Sequence, residues 1–180
     1  MICAHQVLHL KPPQRIMTSG GLGEMGVALP AAIGASIARG GPVLCLHCDG
    51  GMMMNLQELE TIAHRQLPIK IIVFSNDGYL MIKRTQRVLG LKKAAVDKSS
   101  GVSCPNFRIV AQAFGIRAGE VRTWDDLLRA LDQLFASDEP MLVEVHIDPQ
   151  QPLVPKLDPI RNEDGSISSP KFDDLSPRMT

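Results

Sequence analysis

Two short stretches of the chain carry residue types able to do chemistry: Cys48-Asp49-Gly50-Gly51 and Ser75-Asn76-Asp77-Gly78-Tyr79. In the first, paired glycines let a phosphate come close to the backbone, and the N–H groups opening the next helix point at it. Asp49 adds a carboxylate, which would repel a phosphate unless a cation stood between them. A loop with both features suits a metal-bridged phosphate. In the second stretch, the Asn76 side-chain carbonyl and a backbone carbonyl of the following turn are hard oxygen ligands. With Asp49 and two phosphate oxygens they approach the six ligands of magnesium, leaving about one place for water.

The elements around these stretches must bring them together. Apolar runs at 42–47 and 70–74 read as strands, the second rich in branched residues. Each is followed by one of the two chemical stretches. Residues 27–39 read as a buried helix closed by Gly40-Gly41, and 55–66 as a helix with Leu56, Leu59, Ile62 and Ala63 on one face. Residues 79–87 and 107–114 read as helices, 116–121 and 141–147 as strands, and 16–19 as a further short strand. Thr123 caps a helix running to about Ala136, with Asp125 and Asp126 in its first turn. His5 to Leu10 reads as the end of a helix stopped by Pro12-Pro13, and 92–104 as a polar, mobile loop. Strands alternating with helices predict an α/β fold, a three-layer parallel sheet with helices on both faces. Such sheets bind ligands beyond the carboxyl ends of their strands, where Asp49 and Asn76, 27 positions apart, would then stand side by side. One domain over 1–150 is expected, followed at 151–180 by an extended tail with Pro152, Pro155, Pro159, Pro170 and Pro177.

Composition excludes several functions. Lys+Arg and Asp+Glu both number 19, so no charge excess favours nucleic acid or an anionic membrane surface. Aromatic residues at 4% are too few for a base-stacking platform. The longest apolar stretch, 27–38, is too short to span a bilayer, and no signal peptide opens the chain; a cytoplasmic location is expected. Cys45 and Cys48 form a C-x-x-C string inside a predicted strand, without the second pair a zinc site needs, so buried reduced thiols are expected.

Taken with their order, these motifs resemble a known family. Asp-Gly, a helix, Leu67-Pro68, an apolar strand and then Asn is similar to the thiamine-diphosphate motif of the acetolactate synthase and pyruvate decarboxylase superfamily. Gly20-Gly21-Leu22-Gly23-Glu24-Met25-Gly26, the following Leu29 to Ala35 and the run Met52 to Leu59 resemble the acetolactate synthase branch. The likeness covers roughly residues 15 to 150. It implies that Asp49 and Asn76 bind magnesium through side chains and Gly78 through its carbonyl. Gly50 and Gly51 would line the diphosphate. Gly23 and Met25 would meet the aminopyrimidine, with Met25 propping thiamine diphosphate in its bent form; an unbranched, polarizable side chain suits that wedge. Tyr79 and Met81 would lie near the thiazolium and the substrate. The implied reaction is decarboxylation of a 2-oxo acid and carboligation of what remains.

The resemblance also implies a missing part. The family's catalytic glutamate belongs to a pyrimidine-binding domain, and no glutamate here matches it. No catalytic residue is therefore expected in this chain, which by itself would be inactive. Its partner would be a pyrimidine-binding domain from the rest of the polypeptide or from a separate subunit, in a homo-oligomer, dimer or tetramer. The abrupt opening at residues 1–15 favours an excised C-terminal fragment. Three positions depart from the family: Cys48 replaces a glycine, Ser75 an asparagine, and Thr85 a tryptophan that helps select the acceptor.

Plainer readings stand beside these. Asp49 and Asn76 could be a cap and a turn residue. Met52, Met53 and Met54 read as core, His47 as a satisfied, partly buried side chain, and Lys83 and Arg84 as a solvated helix face. A non-catalytic or regulatory module that keeps the fold is one alternative function. A dinucleotide-binding domain is another, though no acidic residue closes the next strand for a ribose.

Overall fold

The computed structural model describes residues 2–157 and 159–177. In chain order its elements are α1 (Ile2–Val7), α2 (Ala28–Arg39), β1 (Val43–Cys48), α3 (Asp49–Met52), α4 (Glu58–Arg65), β2 (Ile69–Ser75) and α5 (Leu80–Val88). There follow a 3₁₀ turn at Lys98–Ser100, α6 (Phe107–Ala113), β3 (Arg117–Val121), α7 (Trp124–Phe135), β4 (Met141–His146), β5 (Ile160–Arg161) and β6 (Ile167–Ser168). Local chemistry sets the boundaries. Gly40 closes α2 in the left-handed conformation, its N–H donating to the Ser36 carbonyl at 2.9 Å. Thr123 and Asp126 cap the start of α7 reciprocally, as expected from Thr123 and the acidic first turn.

The main sheet has order β1-β2-β4-β3, and its neighbouring pairs are all parallel. It is an α/β sheet with helices on both faces. On one face, Leu29, Ala32 and Ile33 of α2, Leu59 and Ile62 of α4, and Phe107 and Ala111 of α6 pack on Cys45, Ile69, Ile71, Val73 and Leu142. On the other, Ala130 and Leu134 of α7 pack on Val121, Met141 and Val143. That second layer covers only the β3–β4 side. Leu44 of β1 and Phe74 of β2 remain 46% and 37% exposed.

Four expectations change. Residues 16–19 form no strand; Ile16 and Met17 are exposed and the segment pairs with nothing in the sheet. The helix expected at 55–66 starts later: residues 55–57 make a bend and turn, Glu58–Arg65 is the regular helix, and a separate helical turn, Asp49–Met52, precedes them. The segment 92–104 is held in place. Val96 is fully buried, and Asp97 accepts from Lys93, Ser99 and Ser100 and pairs with Lys83 at 3.5 Å. The Lys93 ammonium, ahead of the serine hydroxyls, holds the Asp97 carboxyl well below the usual range. The tail is more than an extended run: β5 and β6 make a small antiparallel hairpin, and Lys156 and Ser176 exchange backbone hydrogen bonds of 3.0 and 2.7 Å.

Candidate cofactor site

Because β1 and β2 lie in parallel register, with Cys48 beside Phe74, their carboxyl ends deliver Asp49 and Asn76 to one edge. Asp49 opens α3 and is 1% exposed. Its Oδ1 accepts from the Gly50 N–H at 2.8 Å. Its Oδ2 accepts from the Asn76 N–H at 2.9 Å and the Gly78 N–H at 3.1 Å. Burial pushes its carboxyl pKa up, against the lowering effect of these three donors. The neighbouring Asp77 pushes it further the same way. A buried carboxylate beside another carboxylate is an unfavourable arrangement that a cation would relieve.

The neutral oxygens are close by. The Asn76 side-chain amide donates to the Gly78 carbonyl oxygen at 2.8 Å and to Asp49 Oδ2 at 3.1 Å. The three groups thus share one small face, and turning the amide end for end would add its oxygen to those of Asp49 and Gly78. The donor set is one carboxylate and two neutral oxygens. Among the described residues no three His, Cys, Asp or Glu side chains gather around a metal position. Hard oxygen ligands of this kind fit magnesium and not zinc.

Glycines let the site close. Gly78 has φ +146°, and a Cβ there would overlap the Val96 carbonyl oxygen, which accepts the Tyr79 N–H at 2.8 Å. Residue 96, far along the chain, thus shapes the turn that presents the Gly78 carbonyl. At Gly50 a Cβ would overlap the Tyr79 ring, lying 2.6 Å from Cδ1. At Gly51 it would lie 2.7 Å from His47 Cε1. The first expectation for these glycines, open space for a phosphate, is therefore incomplete: two rings already rest on them. His47 is buried; Nδ1 accepts from the Cys48 N–H at 3.0 Å, and Nε2 has no partner. Burial lowers its pKa, so the ring is neutral with its proton on Nε2.

Asp49, Gly50, Gly51, Asn76, Gly78 and Tyr79 thus come together. Gly23 and Met25 lie outside this turn, in the exposed 20–25 segment; Met25 is 49% exposed. Met81 is half exposed on α5. Met52 is core, as expected, but Met53 and Met54 are exposed. Cys45 faces the core and Cys48 the opposite side, as residues three apart on a strand must, so they do not act as a pair. Lys83 is engaged by Asp97. A groove of about 240 Å³ beside the turn is lined by Asn76, Gly78, Tyr79, Lys83, Asp97 and Pro149, among others. Sequence reasoning missed Val96 and Asp97, which no local pattern links to the turn. It also missed Asn55, read simply as the start of a helix.

Comparison with known proteins gives this geometry a family. The family model described as "Thiamine pyrophosphate enzyme, C-terminal TPP binding domain" matches residues 1–145. The Escherichia coli (strain K12) acetolactate synthase isozyme 2 large subunit is 38% identical over 159 residues, 86% of this chain and 28% of that protein. A probable acetolactate synthase large subunit of Methanocaldococcus jannaschii is 34% identical over 176 residues, 92% of this chain and 29% of that protein. The chain therefore spans under a third of the length of these relatives. Among solved structures, the Rhodococcus jostii RHA1 thiamine diphosphate-dependent 4-hydroxybenzoylformate decarboxylase matches with a TM-score of 0.63 and 28% identity, covering 69% of this chain and 23% of that one. The chain belongs to the family of C-terminal thiamine-pyrophosphate-binding domains and is similar there to acetolactate synthase large subunits.

Proposed function

We propose that this chain grips the diphosphate of thiamine diphosphate through magnesium, as the C-terminal part of an acetolactate-synthase-like enzyme acting on 2-oxo acids. The observation that carries this is the convergence of the buried Asp49 carboxylate, the Asn76 side chain and the Gly78 carbonyl at one sheet edge. Asp49 and Asn76 would bind the metal through side chains and Gly78 through its backbone oxygen. The hydrogen bonds from Asn76 and Gly78 to Asp49 keep the two loops at a fixed separation before any metal arrives. The Tyr79 ring rests on Gly50 beside this turn.

Bound thiamine diphosphate would supply the carbon nucleophile and electron sink for decarboxylation and carboligation. The chain's own part is binding and orientation. Met25 would prop the cofactor's bent form, Gly23 would give its ring close approach to backbone, and Tyr79 and Met81 would line the substrate side. The proton-handling glutamate would come from a pyrimidine-binding domain elsewhere in the polypeptide or in a second subunit, within a homo-oligomer. This chain alone is then inactive. The half-exposed Met25 and Met81 support a site completed from outside.

Calorimetric titration with thiamine diphosphate, with and without magnesium, tests the reading. Binding is expected to require magnesium and to weaken about a hundredfold in Asp49→Asn, since the substitution removes the charge of the buried carboxylate ligand. Magnesium-independent binding, or unchanged binding by the variant, would refute it. A folded chain that binds nothing would favour the non-catalytic module instead.

A further inference from the structure

The 20–26 segment and the α3 turn meet at one side chain, Asn55. Its Nδ2 donates to the Gly26 carbonyl at 2.9 Å, across 29 positions of sequence. Its Oδ1 accepts from Gln57 Nε2 at 3.3 Å, which fixes which way the amide faces. Its own backbone carbonyl accepts the Glu58 N–H at 3.1 Å, anchoring it to the entry of α4. Gly26 is pressed against this anchor. Its φ is +88°, and a Cβ there would lie 2.7 Å from Asn55 Nδ2 and 2.7 Å from Met54 Cβ. Gly26 is buried although residues 20–25 before it are all exposed. Its backbone nitrogen also lies 3.7 Å from where a Gly51 Cβ would stand. The exposed segment is thus clamped to the α3 turn at its last residue, directly after Met25.

We infer that Asn55 is a positioning residue: by holding Gly26, it fixes where Met25 stands relative to the Asp49–Met52 turn. The inference rests on the proposed function. In that site the turn takes a diphosphate and Met25 takes a flat heteroaromatic ring. Asn55 then sets the span between the two ends of one ligand. It touches neither end and acts through the Gly26 backbone. A ligand with both ends gains from a fixed span because the second contact becomes intramolecular once the first is made. A ligand with the diphosphate alone gains nothing from it.

That difference supplies the test. The full-length protein and its Asn55→Ala variant are titrated with magnesium plus inorganic pyrophosphate, and with magnesium plus thiamine diphosphate. Pyrophosphate affinity is expected to stay within about twofold, and thiamine diphosphate affinity to fall about five- to tenfold, the worth of one hydrogen bond plus the alignment it imposes. Equal loss for both ligands would show a general support of the fold and overturn the inference. No loss for either would overturn it as well. If Asn55→Ala does not fold, Asn55→Ser carries the same test, its hydroxyl being too short to reach the Gly26 carbonyl. Failure of the unsubstituted protein to bind either ligand would instead bring down the underlying site reading, and this inference with it.

Discussion

At the turn that joins Asp49 to Asn76 and Gly78, Asp49 and Gly78 are buried, Asn76 is half-buried, and three backbone N–H groups converge on one carboxylate. Along 20–26, the segment that would meet the other end of the ligand, Leu22 is 89% exposed and Met25 49%. Gly23 is held by a 3.0 Å bond to the Ser19 carbonyl, and Ser19 in turn bonds Glu24, both local contacts. One end is built by the sheet: two strands in register leave their loops no choice of position. The other end is a backbone excursion clamped only where it rejoins α2. The contrast teaches that a domain can preassemble the half of a site that needs charge and leave the apolar half for another surface to cover.

The glycines give the sharpest way to break this contrast. Gly78→Ala places a Cβ on the Val96 carbonyl at φ +146°, and a loss of about 3 kcal/mol or more is expected from denaturant midpoints. Gly23→Ala has a left-handed φ of +62° but open space around it, so about 1–2 kcal/mol is expected. Equal losses would mean that the two ends are equally constrained. The methionines come next. Met52→Ala, in the core, should lose about 2–4 kcal/mol of stability. Met25→Ala should stay within about 0.5 kcal/mol while thiamine diphosphate binding falls. A stability loss at Met25 approaching that at Met52 would place it in the core.

How much of this was legible in the sequence follows the same division. The strands β1 and β2 are legible as apolar runs, and their parallel pairing sets Asp49 beside Asn76. Thr123 is readable as a cap because the Asp126 N–H that donates to its side chain and the acidic first turn are adjacent in the chain. The 92–104 segment looked patternless because its order comes from contacts with distant parts: Tyr79 N–H with Val96, and Lys83 with Asp97. Residues 16–19 looked like a strand because short apolar runs carry that pattern whether or not a neighbour exists to pair with. Asn55 was read as helix because the residues after it have helical period, while its side chain answers to Gly26. Long-range partners, not local propensity, decide these places.

Acidity sharpens the comparison further. Burial raises the Asp49 pKa, so protons should compete with magnesium at a higher pH than for an ordinary aspartate. Magnesium affinity should fall as pH falls through that folded-state value, by about tenfold per unit below it. Titrations at a series of pH values read this directly. In metal-free protein the sign reverses. The folded chain holds that proton more tightly than the unfolded one, so this group's contribution to stability rises as pH falls and is lost as pH rises through the folded value. The smallest effect is expected at Cys45. Burial pushes its thiol up to about 12, and an alkylating reagent at neutral pH should leave it unmodified in folded protein, as mass spectrometry of the digested product would reveal.

Tyr79 lies with its ring against Gly50, one residue from the Gly78 carbonyl, and it is the only tyrosine in the sequence. Isotopic or fluorinated tyrosine supplied during expression would therefore label this position alone within the chain. A single resonance would then report on the Asp49–Gly78 turn without any mutation, and a shift on adding magnesium would test the proposed metal binding there while the rest of the chain stays spectrally silent.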